Sequence, residues 1–247
     1  MRYFIYFQYD GTRYHGWQIQ PNWITVQEEL QRALSVVLRR ETEVVGAGRT
    51  DTGVHARLMV AHFDSPVRLD IGERGEMYKL NRLLPPDISV LKIEEVADDM
   101  HARFSAISRT YRYYISTRKT PFLRQYCWQI HWHLDFSAMN EAAELLVGEK
   151  DFASFCKVGS DVKTTMCNLT RAVWVQDSDT EWHFEISCNR FLRNMVRAFV
   201  GTLFEVGRGR MSVREFTDVL SAKSRSRAGE SVPAQGLFLE DIKYSRG

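Results

Sequence analysis

Two side-chain periods alternate along this 247-residue chain, and they do so in the same order twice. Residues 2–9, "RYFIYFQY", set Tyr3, Ile5, Phe7 and Tyr9 against Phe4 and Tyr6, the period of a strand. A capping box, Thr25 with Glu28 three residues later, opens a helix whose apolar stripe is Val26, Leu30, Ala33, Leu34, Val37 and Leu38. Strands are expected at 43–49 and 57–64, a short helix at 76–83, and a strand at 88–96 after the turn "LPPD". The second half opens with the strand "SRTYRYYIST" and another around "YCWQIHW", then a helix from Ser137 that ends at a C-cap glycine, Gly148. A hairpin at 170–176 and 181–188 follows, then a helix at 189–206. A further helix starts at the Ser212/Glu215 box, and the strand "GLFLEDIKY" comes last. Each half reduces to β-α-β-β-α-β, the split βαβ order of ferredoxin-like folds, with additions in the second. The expected class is therefore α+β, as two halves, 1–106 and 107–247, with no long linker between them.

Hydrophobic content of 44% and charged content of 26% are those of an ordinary globular protein. The alternating, charged start does not read as a signal peptide, and no apolar run is long enough to span a bilayer, so a cytoplasmic location is expected. Cys127, Cys156, Cys167 and Cys188 have no metal-binding spacing and read as free, mostly buried thiols. Net charge is only +2, but 25 of the 33 basic residues are arginine, whose planar fork suits phosphate oxygens and nucleobases.

Three stretches carry chemistry. In "GAGRTDTGVHA", Gly46, Gly48 and Gly53 surround Arg49 and Asp51, more glycine than a plain connection needs. If both charged residues leave a strand end, they share one side of it, and the guanidinium keeps Asp51 ionised. Such a carboxylate suits a nucleophile, a base or an electrostatic partner better than a general acid. In "MHARFSAISRTYRYYI", Arg109, Tyr111 and Tyr113 fall on one strand face, and Thr110, Arg112 and Tyr114 on the other, a pattern for stacking bases and meeting phosphates. In "NRFLRNMVRAFVG", a helix running through residue 190 would gather Arg190, Arg193 and Arg197 in an arc of about 60°, a phosphate site.

These stretches, with "YDGTRYHGWQIQ", "DFASF" and "AQGLFLEDI", occur in an order that resembles the signature blocks of the tRNA pseudouridine synthase A family over essentially the whole chain. The resemblance implies two RRM-like halves sharing a central, largely antiparallel sheet with flanking helices. It implies isomerisation of uridine to pseudouridine at positions 38–40 of the tRNA anticodon stem-loop, by a homodimer. It makes Asp51 the catalytic aspartate, with Arg49 assisting base flipping. Tyr111 would stack on the uracil, Arg197 would support the aspartate or a phosphate, and Leu237 would contact the substrate. His101, Arg103, Arg109, Lys163, Arg190 and Arg193 become candidate RNA contacts. Thr52 stands where the family more often has alanine, Met100 where an aromatic is usual, and Arg190 where a smaller residue is common. Substrate and product are isomers, so no cofactor, redox partner or metal is expected.

Two other readings exist. Asp51, His55 and His62 could serve a metal-dependent hydrolase, although their spacing is loose. A non-catalytic RNA-binding module of the same fold would not need the carboxylate of Asp51.

Overall fold

The computed structural model describes all residues except Glu73, Asp161, Arg246 and Gly247. The chain divides into two compact units, Met1–Ile107 with the chain from Phe238 on, and Ser108–Leu237.

The first unit is built on β1 (Arg2–Tyr9). It pairs antiparallel with β3 (His55–Asp64) on one side and β4 (Ile88–Val96) on the other. A two-residue β2 (Val45–Gly46) pairs antiparallel with β3, and Phe238 and Leu239 of β10 (Leu237–Tyr244) pair parallel with His55 and Ala56. The order β4-β1-β3-β2 is that of a split βαβ unit. Helix α1 (Val26–Leu38) starts where the Thr25 hydroxyl accepts from the Glu28 amide, 3.4 Å, and stops at Arg39 in the left-handed region, φ 54°. It buries Val26, Leu30, Ala33 and Leu34, and α2 (Glu76–Leu83) packs beside it. Tyr3, Ile5 and Phe7 of β1 are wholly buried, Tyr3 stacked on Phe63 of β3. On the other β1 face Phe4 packs on Tyr244. Arg2 grips both carboxylate oxygens of Asp64 at 2.9 Å and donates to the Met100 carbonyl, which ties the strand ends to the chain before residue 101.

The second unit contains the antiparallel order β5-β9-β8-β7, with β5 at Ala106–Ser116, β7 at Gly148–Asp151, β8 at Met166–Gln176 and β9 at Glu181–Cys188. Strand β6 (Trp128–Gln129) adds parallel to the end of β5. Helices α3 (Phe136–Glu144), α4 (Met195–Gly207) and α5 (Val213–Ser221) complete it. Every residue of α4 is buried except Arg197 and Glu205, so this helix is the centre of the core. Gly201 is needed there because a Cβ would lie 1.7 Å from the Glu230 carbonyl oxygen, where the segment after residue 228 crosses the helix. The α+β class holds, and the four cysteines are free and buried.

Several expected boundaries move. The helix expected from residue 189 begins at Met195, because Asn194 takes a left-handed conformation (φ 65°) as its N-cap. Arg190 and Arg193 therefore precede the helix, and the arc that would gather them with Arg197 does not form. Helix α3 is capped by Asp135 and ends at Glu144, while Gly148, at φ 103°, opens β7 instead of closing α3. The strand expected at 43–49 pairs only over Val45–Gly46, and the one around residues 126–132 only over Trp128–Gln129.

Candidate active site

In the first unit the chain turns between β2 and β3 through Gly48–Val54, and backbone bonds fix that turn from behind. The Ala47 amide donates to Val60 of β3 (2.8 Å), and the Val54 amide to the Asp51 carbonyl (3.1 Å), with Gly53 at φ 77° between them. The residue 9–17 segment clamps the other side. The Trp17 amide donates to the Thr50 carbonyl (3.2 Å), the Gly53 amide to the Tyr14 carbonyl (3.3 Å), and the Tyr9 hydroxyl meets the Thr50 hydroxyl at 2.9 Å. Gly16, at φ 85°, lies so close that a Cβ would sit 2.4 Å from the Thr50 carbonyl oxygen. Thr50 is thus the buried anchor, with half-buried Asp51 and exposed Arg49 on either side. Because β2 stops at Gly46, strand alternation does not orient Arg49 and Asp51; the clamp sets the backbone that carries them.

The clamp is the structural meaning of the "YDGTRYHGWQIQ" block. Nothing in the chain's local pattern connects Tyr9, Tyr14, Gly16 and Trp17 to a turn that lies beyond helix α1. Two glycines spaced among aromatics were the available signal.

The histidines beside the turn are engaged elsewhere. The Gly11 amide donates to His55 Nδ1 at 3.0 Å, which makes that nitrogen the acceptor. Asp10 Oδ1 lies 3.1 Å from the same nitrogen and also accepts from the Thr12 amide at 2.9 Å. His55 is buried and stacked on Phe238. His62 is buried and accepts at Nδ1 from the Ala102 amide, 3.1 Å. Burial first, then the His101 and Arg2 charges, push its pKa down to about 4. Among the described residues no three His, Cys, Asp or Glu side chains group to hold a metal. The His55 and His62 imidazoles both accept from backbone amides and so brace β3 against the segments that donate to them.

The "HARF" segment leaves the same unit. His101 Nδ1 accepts from the Arg103 and Phe104 amides at 3.1 and 3.3 Å, and burial with the Arg2 and Arg103 charges lowers its pKa. This imidazole shapes the turn that presents the exposed Arg103 side chain.

In the second unit, Tyr111 and Tyr113 sit on the buried face of β5, 8% and 0% exposed. Tyr111 meets Phe191 edge to face at 5.0 Å. Arg112 bonds Glu185 of β9, which also holds Arg171 of β8, so the opposite face is an ion-pair ladder and not an open row of cations. Burial raises the Tyr113 pKa well above the ordinary value, and its hydroxyl donates to the Pro233 carbonyl at 2.8 Å. Arg197 donates through Nε to the adjacent Val232 carbonyl at 2.7 Å. Gly236 closes against β5, where a Cβ would be 2.7 Å from the Tyr114 carbonyl oxygen. Arg197 and Tyr113 thus hold the segment that delivers buried Leu237. Arg109 donates to the Asn189 carbonyl (2.8 Å), Arg193 and Lys163 are exposed, and Arg190 is half-buried.

A family model described as tRNA pseudouridine synthase matches residues 5–105 and 142–245. The chain is 57% identical to the tRNA pseudouridine synthase A of Bacteroides fragilis, over 98% of this chain and 96% of that protein. It is 55% identical to that of Bacteroides thetaiotaomicron, over 98% and 90%. At greater distance it is 43% identical to that of a Thermoanaerobacter strain, over 97% and 98%.

Proposed function

The chain belongs to the tRNA pseudouridine synthase family and is an isomerase of tRNA uridine, and from that premise we propose that it acts at positions 38–40 of the anticodon stem-loop with Asp51 as the essential carboxylate. The observation that carries the assignment is the clamp: a half-buried aspartate on a turn whose preceding residue, Thr50, is fixed by two bonds, to the Tyr9 hydroxyl and from the Trp17 amide. A reactive group gains most when its position is set before the substrate arrives.

The reaction breaks the N1–C1′ bond of uridine, turns the uracil and joins C5 to C1′. The C5 hydrogen leaves as a proton and N1 gains one, so the balance needs no oxidant and no energy donor. Three tasks fall to the protein. The uridine must leave its stack, at a cost of a few kcal/mol, and Arg49, exposed beside Asp51, is assigned to the vacated space. The freed uracil must be held while it turns, which an aromatic face does for about 1–3 kcal/mol, and Tyr111, T-shaped against Phe191, is assigned that role. Asp51 must free that uracil, by attacking C1′, adding to the base, or taking the C2′ proton. Arg197 and Leu237 are assigned to the substrate, and His101, Arg103, Arg109, Lys163, Arg190 and Arg193 to the RNA around it. The enzyme is expected to work as a cytoplasmic homodimer; among the described residues no helix is long and apolar enough to cross a membrane.

The test is tritium release from tRNA labelled at uracil C5, with excess EDTA, for wild type and Asp51→Ala. Wild type should release and the variant should not, while tRNA affinity stays within about threefold. A folded Asp51→Ala protein that still releases tritium refutes the assignment. Release that requires added metal would restore the hydrolase-type ligands to consideration.

A further inference from the structure

Just before α1 the chain makes a tight turn, Gln20–Trp23, closed by an antiparallel bridge between its ends. Pro21 and Asn22 occupy the corner, with Asn22 at φ 65°, which fits a turn that needs a left-handed third residue. The turn lifts Trp23 out of the surface at 54% exposed. One face of the indole lies on the His15 ring, centroids 3.9 Å apart and planes 34° apart. His15 is itself held, since its amide donates to the Ile24 carbonyl (2.9 Å) and its carbonyl accepts from the Gln20 side chain (2.9 Å). Exposing half an indole to water is unfavourable, and a short bonded turn that does so has fixed the ring in advance.

We propose that Trp23 is a stacking platform for an unpaired base of the tRNA substrate, a contact additional to those assigned above and resting on the reading of this chain as a tRNA-uridine isomerase. Two observations select nucleic acid over a protein partner. Residues 11–27 contain no acidic side chain, in a chain with 31 acids, and they include the exposed Arg13. The same segment also carries Gly16 and Trp17, whose backbone clamps the Thr50–Asp51 turn, so RNA engaged at Asp51 comes to the loop that bears Trp23. Gln18 and Asn22 of the same segment are exposed, and their amides are groups that can meet base edges.

The experiment compares wild type, Trp23→Phe and Trp23→Ala for binding of an in vitro transcribed tRNA and for single-turnover pseudouridine formation, with thermal melting and sedimentation as controls. Trp23→Ala should weaken tRNA binding about 5- to 150-fold, the range for loss of one stacked base, with the saturated rate within about twofold of wild type. Trp23→Phe, which keeps a π face, should recover most of the affinity. Three results overturn the proposal: equal affinity for Trp23→Ala and wild type, equal loss in both variants, or a changed oligomeric state that accounts for the loss. A lower saturated rate with unchanged affinity would overturn it too, by showing that Trp23 only supports the Asp51 turn. Failure of wild type to bind or modify any tRNA would instead remove the functional reading on which the proposal stands, and the proposal with it.

Discussion

Replacing Gly16 with alanine probes the clamp behind Asp51 with one methyl group. The residue sits at φ 85°, where an L side chain costs about 1–2 kcal/mol. The new Cβ would lie 2.4 Å from the Thr50 carbonyl oxygen and 3.2 Å from the Asp51 carbonyl carbon. Ordinary contact begins near 3.4 Å, so the turn must retreat by about 1 Å or the residue 14–17 segment must, at a further cost of about 1–3 kcal/mol. The total of about 2–5 kcal/mol lowers the melting temperature by about 4–20 °C in a chain of this size. A displacement of that length at a reacting group costs about a hundredfold in rate. Gly48→Ala is the control, since a Cβ there meets nothing within 4 Å and its φ is not positive. Calorimetry and single-turnover pseudouridine formation should show Gly16→Ala destabilised and slow, with Gly48→Ala melting like wild type. A Gly16→Ala protein with wild-type melting and rate would refute the clamp as the device that places Asp51.

Two further outcomes are expected. Arg193→Ala should weaken tRNA binding uniformly across tRNAs and reduce the slope of log K against log salt by roughly one charge; an unchanged slope in filter binding would remove Arg193 from the RNA contacts. His62 has its pKa lowered from 6.5 in the unfolded chain to about 4 in the folded one, so between those values the unfolded chain holds more protons and stability rises with pH. Denaturant unfolding should therefore lose stability as pH falls from about 6.5 towards 4, and a His62→Gln variant should show a shallower loss than wild type over that window. Equal slopes would show that the buried imbalance is not at His62.

The strongly periodic elements were readable from the chain itself. Helix α2 and strands β4 and β9 fall where hydrophobic pattern and turn residues put them, because each faces a core on one side and ends at a turn. The start of α4 was not readable. "FLRNMVRAFV" keeps an apolar pattern through Asn194, and only the left-handed backbone at that residue separates the helix from the segment before it. Strand β7, "GEKD", has no apolar alternation to announce it and forms because Gly148–Asp151 finds the ladder of β8. The site divides in the same way. Arg49 and Asp51 stand out because glycines surround them, whereas Thr50, which anchors the turn, looks like any threonine until Tyr9 and Trp17 are folded against it. The Arg112–Glu185–Arg171 ladder was likewise hidden, since its members come from three strands whose register the sequence does not state.

The parallel pairing of β10 with β3 bears on how the protein is made. The unit that carries Asp51 takes Phe238 and Leu239 as the neighbours of His55 and Ala56, Phe238 as the partner of the His55 ring, and Tyr244 as the donor to the Ala102 carbonyl. At about 5–20 residues per second, the roughly 130 residues between Ile107 and Phe238 take about 7–25 s to synthesise. Through that interval a nascent chain holds β1–β4 with the His55–Ala56 end of β3 lacking the strand that pairs there, and an uncovered strand edge invites association with other chains. Premature termination anywhere in the second unit should therefore give not a half-enzyme but a substrate for chaperones and proteases.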